Sequence, residues 1–138
     1  MPLKQISVFL ENKTGRLAEV TQLLGKGGIN LRAISIADTA DFGICRLIVS
    51  DPDATLKLLE KGGFTARETD VLGVEITDRP GGLAEIMKTF NENGVNIEYL
   101  YATLERKADR AVVIFRVEDM AHGARIIREH GWAGVDSL

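Results

Sequence analysis

Asn12-Lys13-Thr14-Gly15-Arg16-Leu17-Ala18-Glu19 and, 66 residues further on, Asp78-Arg79-Pro80-Gly81-Gly82-Leu83-Ala84-Glu85 are one element written twice. Alternating apolar residues precede each: Ile6, Val8 and Leu10 before the first, Leu72, Val74 and Ile76 before the second. Alternation of that kind marks a strand with one face in a core. Each stretch then opens a run at helical spacing, with Leu17, Val20 and Leu24 in one case and Leu83, Ile86, Met87 and Phe90 in the other. Both are therefore tight strand-to-helix turns. Their tips carry backbone N–H groups with no partner inside the helix, so each is a candidate anion site.

Outward from the turns the same order of elements repeats. In the first half, Gly27-Gly28 stops the helix. Asn30 starts a second strand through Leu31, Ile34 and Ile36, and residues 38–43 supply a turn into a third strand over 44–49. Asp51-Pro52-Asp53 reads as a helix start, with proline in the first turn and acids at the positive end of the dipole. Gly62-Gly63 ends that helix, and 64–71 is a polar fourth strand that runs almost without a linker into the next half. In the second half Asn93-Gly94 breaks the helix. Residues 96–105 and 111–117 are strands joined by a turn at 107–110, 121–129 is a helix, and 133–138 is a short last strand. A shift of 66 also superposes Val8 on Val74, Gly28 on Gly94 and Asn30 on Asn96. The expected organisation is two units, 1–71 and 72–138. Right-handed crossovers put both helices of a strand-helix-strand-strand-helix-strand unit on one face of its sheet. The fold class is α+β: two tandem ferredoxin-like βαββαβ units, each with a four-stranded antiparallel sheet, packed side by side so that small cores and edge strands are covered.

Composition narrows the function. With 45% hydrophobic and 27% charged residues the chain is globular rather than disordered. Seventeen basic against twenty acidic side chains, unclustered, offer no stripe that would track phosphates, so nucleic acid is not an expected partner. Tyr99 and Tyr101 alternate as base-stacking aromatics do, but the basic residues of an RNA-binding sheet are missing. No run approaches the eighteen or so apolar residues of a membrane span, and the first ten residues lack a leader pattern, so the expected location is cytoplasmic with no membrane partner. Cys45 is the single cysteine and sits in an apolar run, which predicts a buried, inert thiol. His122 and His130 lack a third ligand, so neither a metal nor another cofactor is expected. Glu19 and Glu85 stand near helix starts, where an acid is favoured without any catalytic role.

Two readings of the turns stay open on spacing alone. Asn12 and Asp78 either cap their helices while the glycines turn the chain, or they help to hold an anion beside the glycine. Asn30 and Asn96, each eighteen residues beyond the polar residue of its turn, either stabilise the entry into a strand or offer a donor and an acceptor to a small zwitterion.

The pattern Asn/Asp, Lys/Arg, any residue, Gly, then Leu, followed about thirteen residues beyond the glycine by Gly-Ile/Val-Asn-Leu/Ile, resembles the ACT domain. It occurs twice and spans nearly the whole chain, as in stand-alone tandem ACT proteins. The resemblance implies regulation by a small amino acid bound where two ACT units meet, the loop of one and the strand-start asparagine of the other contributing. By that analogy the ligand-binding residues are Asn12, Lys13, Thr14, Gly15, Arg16, Leu17 and Asn96 for one site. Asp78, Arg79, Pro80, Gly81, Gly82, Leu83 and Asn30 form the other. The first is the stronger candidate, because Asp78 opposes a ligand carboxylate and Gly82 replaces Arg16.

The expected function is a non-catalytic regulator that binds an amino acid and changes its association with itself, as a homodimer, or with an enzyme of amino-acid metabolism. The alternative is a constitutive regulatory subunit or interaction module of an amino-acid biosynthetic enzyme, similar to the acetolactate synthase small subunit. An enzyme such as an acylphosphatase needs a basic phosphate-cradling loop and a catalytic amide, and neither turn supplies them.

Overall fold

A computed structural model describes residues 2–38, 41–104, 108–136 and 138. Parts of the expected segments 38–43, 96–105, 107–110 and 133–138, namely residues 39–40, 105, 107 and 137, lie outside the described residues. The chain folds as two compact units, one formed by Lys4–Thr69 and another that starts at Asp70.

In the N-terminal unit the order is β1 (Leu3–Glu11), α1 (Arg16–Lys26), β2 (Leu31–Asp38), β3 (Phe42–Val49), α2 (Pro52–Lys61) and the first part of β4 (Thr65–Thr77). β3 pairs antiparallel with both β1 and β2, and β4 lies on the far side of β1, so the sheet order is β2-β3-β1-β4. Val8 stands opposite Cys45 and Cys45 opposite Ile36, while Ile6, Leu47 and Ile34 line up in the same way. Opposed residues share a face of the sheet. That face carries the core, where Ile6, Val8, Leu10, Cys45 and Leu47 pack on Val20 and Leu24 of α1 and Leu59 of α2. Both helices therefore cover one side. Asp51 caps α2, its carboxylate accepting from the Ala54 N–H at 3.1 Å with Pro52 in the first turn.

The C-terminal unit repeats the plan with the rest of β4, then α3 (Gly82–Glu92), β5 (Ile97–Ala102), β6 (Arg110–Val117), α4 (Met120–Glu129) and β7 (Ala133–Val135). β6 pairs with β4 and β5, and β7 pairs with the other edge of β4 over Gly73–Glu75. Leu72, Val74, Ile76, Val113, Phe115 and Val117 pack against Ile86 and Phe90 of α3 and Ile126 and Ile127 of α4. Asp119 caps α4 through the His122 N–H at 3.0 Å. Each unit is thus a ferredoxin-like four-stranded antiparallel sheet with two helices on one face.

The backbone departs from the sequence expectation most in β4, while β7 ends at Val135, short of the expected 133–138. The fourth strand of one unit and the first strand of the next are a single strand of 13 residues, β4. Neither glycine nor proline stands between Thr65 and Leu72, so nothing local interrupts the extended conformation.

Cys45 is fully buried, and burial pushes its thiol up to about 11. The thiolate is the reactive form, so the native protein is expected to resist a thiol reagent at pH 8 and to react stoichiometrically in denaturant. Rapid labelling without denaturant would contradict this packing. Among the described residues no helix is long and apolar enough to cross a membrane.

Candidate functional site

The two glycine turns match bond for bond. The Asn12 N–H donates to the Asp41 carbonyl at 3.0 Å, as the Asp78 N–H does to that of Asp109 at 2.6 Å. Lys13 N–H reaches Glu11 O and Arg79 N–H reaches Thr77 O, at 2.9 and 3.0 Å. Glu19 N–H closes on Gly15 O and Glu85 N–H on Gly81 O, at 2.9 and 3.1 Å. Gly15 and Gly81 occupy the N-cap positions with φ of +94° and +85°, a left-handed conformation that side chains with a Cβ resist. This is why glycine recurs there. The N-cap positions are held by Gly15 and Gly81, not by Asn12 and Asp78 as one reading of the sequence has it.

Beside the first turn lies a cleft of about 220 Å3, lined by Leu10, Glu11, Asn12, Lys13, Arg16, Leu17, Ile36 and Gly43. Strand register builds it. Glu11 stands opposite Phe42 and Ile36 opposite Cys45, so the end of β1 and the end of β2 flank the start of β3. Asn12, Lys13, Arg16 and Leu17 are residues expected at a site, and the structure brings them together. Leu17, expected on the core face of its helix, is instead 38% exposed, as is Leu83 in the second unit. Leu10, Glu11, Ile36 and Gly43 were not among the expected residues. Glu11 adjoins Asn12 in the sequence and could have been included on that ground. Ile36 enters only through sheet register.

The rim of the cleft carries both signs of charge. Lys13 Nζ is 3.1 Å from Glu11 Oε2, Arg16 Nη2 3.6 Å from Glu11 Oε1, and Arg16 Nη1 donates to Glu19 Oε2 at 2.9 Å. The hydrogen bond from Lys13, then the charges of Lys13 and Arg16, hold the Glu11 carboxyl below its ordinary range. All these groups are substantially exposed, so the pairs add little to stability and remain exchangeable for ligand charges.

The second turn differs chemically. At the places of Glu11, Arg16 and Ile36 it has Thr77, Gly82 and Ala102, the last because Ala102 stands opposite Val113 and Val113 opposite Val74. Arg79 pairs with Glu85. Gly82 is buried, and a Cβ there would lie 2.1 Å from the Thr77 carbonyl oxygen.

Asn30 and Asn96 fall far from the turns of their own units. The Ser50 N–H donates to the Asn30 carbonyl and the Glu118 N–H to that of Asn96, at the ends of β3 and β6. The turns stand at the starts of those strands, where Glu11 pairs with Phe42 and Thr77 with Arg110. β3 spans Phe42–Val49, which separates Asn30 from its own turn by about 23 Å at the usual strand rise. Neither amide can face the loop of its own unit. The Asn96 side chain donates to Glu118 Oε2 at 3.1 Å.

Both histidines serve local roles. His122 Nε2–H donates to the Asn93 carbonyl at 2.7 Å and Nδ1 accepts from Arg125 at 2.6 Å, while His130 Nδ1 donates to the Ile126 carbonyl. Among the described residues no group of three or more His, Cys, Asp or Glu could hold a metal ion.

Residues 1–133 match the family model of an ACT domain pair. A crystal structure of a protein from Bacteroides thetaiotaomicron is similar at 42% identity and a TM-score of 0.91, over 98% of this chain and 92% of that one. The ligand-free regulatory subunit of aspartate kinase from Thermus thermophilus shares the fold at 21% identity and a TM-score of 0.65, over 91% of this chain and 90% of its own. No curated protein matches the chain in sequence.

Proposed function

The chain belongs to the ACT family as a pair of ACT domains, and on that premise we propose that it is a non-catalytic regulator that binds a small amino acid at the Asn12–Leu17 turn. The observation that carries this reading is the cleft beside that turn, where Glu11, Lys13 and Arg16 present both signs of charge within reach of one small molecule. A zwitterion can set its carboxylate against the two cations and its ammonium against the acid. Each exposed ion pair then gives up a partner of modest value and gains another.

The two strand-start asparagines enter the proposal in a restricted way. Because Asn30 lies at the other end of the sheet from its own turn, a ligand that touches a turn and such an asparagine takes them from different units, of one chain or of two. The family resemblance assigns Asn96 to the Asn12 site and Asn30 to the Asp78 site. Ligand binding across units would bias association with a second copy or with an enzyme of amino-acid metabolism, by no more than the ligand's differential affinity for the two states.

A thermal-shift screen of the standard amino acids tests the reading. A ligand at a hundred times its Kd stabilises by about 2.7 kcal/mol, so at least one amino acid is expected to raise Tm at millimolar concentration. Asn12→Ala is expected to weaken that ligand about tenfold, the size of one hydrogen bond to a charged group. If no amino acid shifts Tm, or if the Asn12→Ala protein binds the hit as tightly as before, the proposal fails.

A further inference from the structure

Within the proposed ligand reading, we infer that the cleft of the N-terminal unit selects an α-amino acid with an aliphatic side chain, and that Ile36 sets this selectivity. The rim of the cleft is charged, but its walls are Leu10, Leu17 and Ile36. Leu10 is buried in the core, whereas Ile36 is 47% exposed and Leu17 38% exposed. Ile36 stands on the core face of β2, opposite Cys45, yet the helices leave it uncovered. The apolar surface thus sits next to the charged groups that would hold a zwitterion.

Charged and polar side chains fit these walls less well. With the ligand's own carboxylate on Lys13 and Arg16 and its ammonium on Glu11, a charged side chain is left on Leu10, Leu17 and Ile36, where it loses water without a further partner. A polar side chain laid on Leu10, Leu17 and Ile36 loses water without gaining a hydrogen bond. An aliphatic one covers exposed apolar surface and satisfies the walls. The volume of about 220 Å3 lies below the roughly 300 Å3 at which pockets for drug-sized ligands begin, which suits a single amino acid. The second turn lacks this combination, with Thr77, Gly82 and Ala102 in place of Glu11, Arg16 and Ile36.

Calorimetric titration of the full chain decides it. The probes are L-leucine, L-isoleucine, glycine, L-aspartate and L-lysine, with isocaproate and isoamylamine as leucine analogues lacking the ammonium and the carboxylate. Leucine or isoleucine is expected to bind at least about tenfold tighter than glycine, the charged amino acids or either analogue. Ile36→Ala, at a position half open to solvent, is expected to keep the circular dichroism of the parent and to reduce the leucine-to-glycine ratio about tenfold. Tighter binding of aspartate or lysine than of leucine, or an unchanged ratio in Ile36→Ala, overturns the aliphatic assignment while leaving amino-acid binding intact. Absence of binding by every amino acid overturns the ligand reading itself, and this inference with it.

Discussion

Phe90→Ala is expected to destabilise the C-terminal unit by about 3–5 kcal/mol. Phe90 is 1% exposed and sits at the centre of the core between α3 and the sheet. Its ring meets that of Phe115 edge-on, with centroids 5.3 Å apart and planes at 81°. Truncation removes the buried ring, the aromatic pair and the atoms that fill the space, while the walls formed by β4, β6 and α4 relax only in part. A unit of this size has a total stability on the order of 3–10 kcal/mol, so this one change consumes much of it. Trp132 is the chain's single tryptophan and packs against the same core, so its fluorescence reports this unit. The urea midpoint followed at Trp132 should fall steeply. A loss below about 1 kcal/mol would mean that Phe90 does not hold this core together.

Gly82→Ala is expected to cost about 2–3 kcal/mol, although alanine is the better helix former and the site is a helix start. The reason is steric. The added Cβ would meet the Thr77 carbonyl oxygen at 2.1 Å, and a backbone atom cannot rotate away. The Thr77 carbonyl also accepts from Arg79 N–H at 3.0 Å, and Gly82 N–H donates to Arg79 O at 2.9 Å, so relief of the clash disturbs both bonds of the turn. The equivalent position in the first turn already carries Arg16, and Arg16→Gly should cost about 1 kcal/mol, the helix propensity of glycine. Urea denaturation of the two variants measures the asymmetry. Equal midpoints would show that the second turn opens as freely as the first.

How far the sequence discloses this protein depends on the range of the signal. Val20, Leu24, Ile86 and Phe90 recur at helical spacing and are buried. Ile6, Val8, Val74 and Ile76 alternate and are buried on one face. Asp51-Pro52 announces a helix start, and Asp51 caps it. These are signals within one turn of helix or a few residues of strand, so they are read without knowing what the segment touches. Leu17 and Leu83 obey the same spacing yet stay partly exposed, and Leu17 lines the open cleft beside its turn. The unbroken β4 was missed for a related reason, since a polar strand and a strand-linking segment share one composition.

The sequence by itself determined the repeat, the order of elements within each unit and the need for glycine at Gly15 and Gly81, since all three follow from local periodicity and backbone sterics. It also placed Asn12, Lys13, Arg16 and Leu17 on one turn. Only the tertiary structure decided what faces that turn. Register between β1, β3 and β2 brings Ile36 and Gly43 to Leu10 and Glu11, and it carries Asn30 to the opposite end of the sheet. Register is a cooperative property of three strands distant in sequence, and a slip of one residue would turn Ile36 to the other face. The twin turns therefore share a backbone and differ in chemistry: Glu11, Arg16 and Ile36 line the cleft at one of them, and at the other Gly82 packs against Thr77.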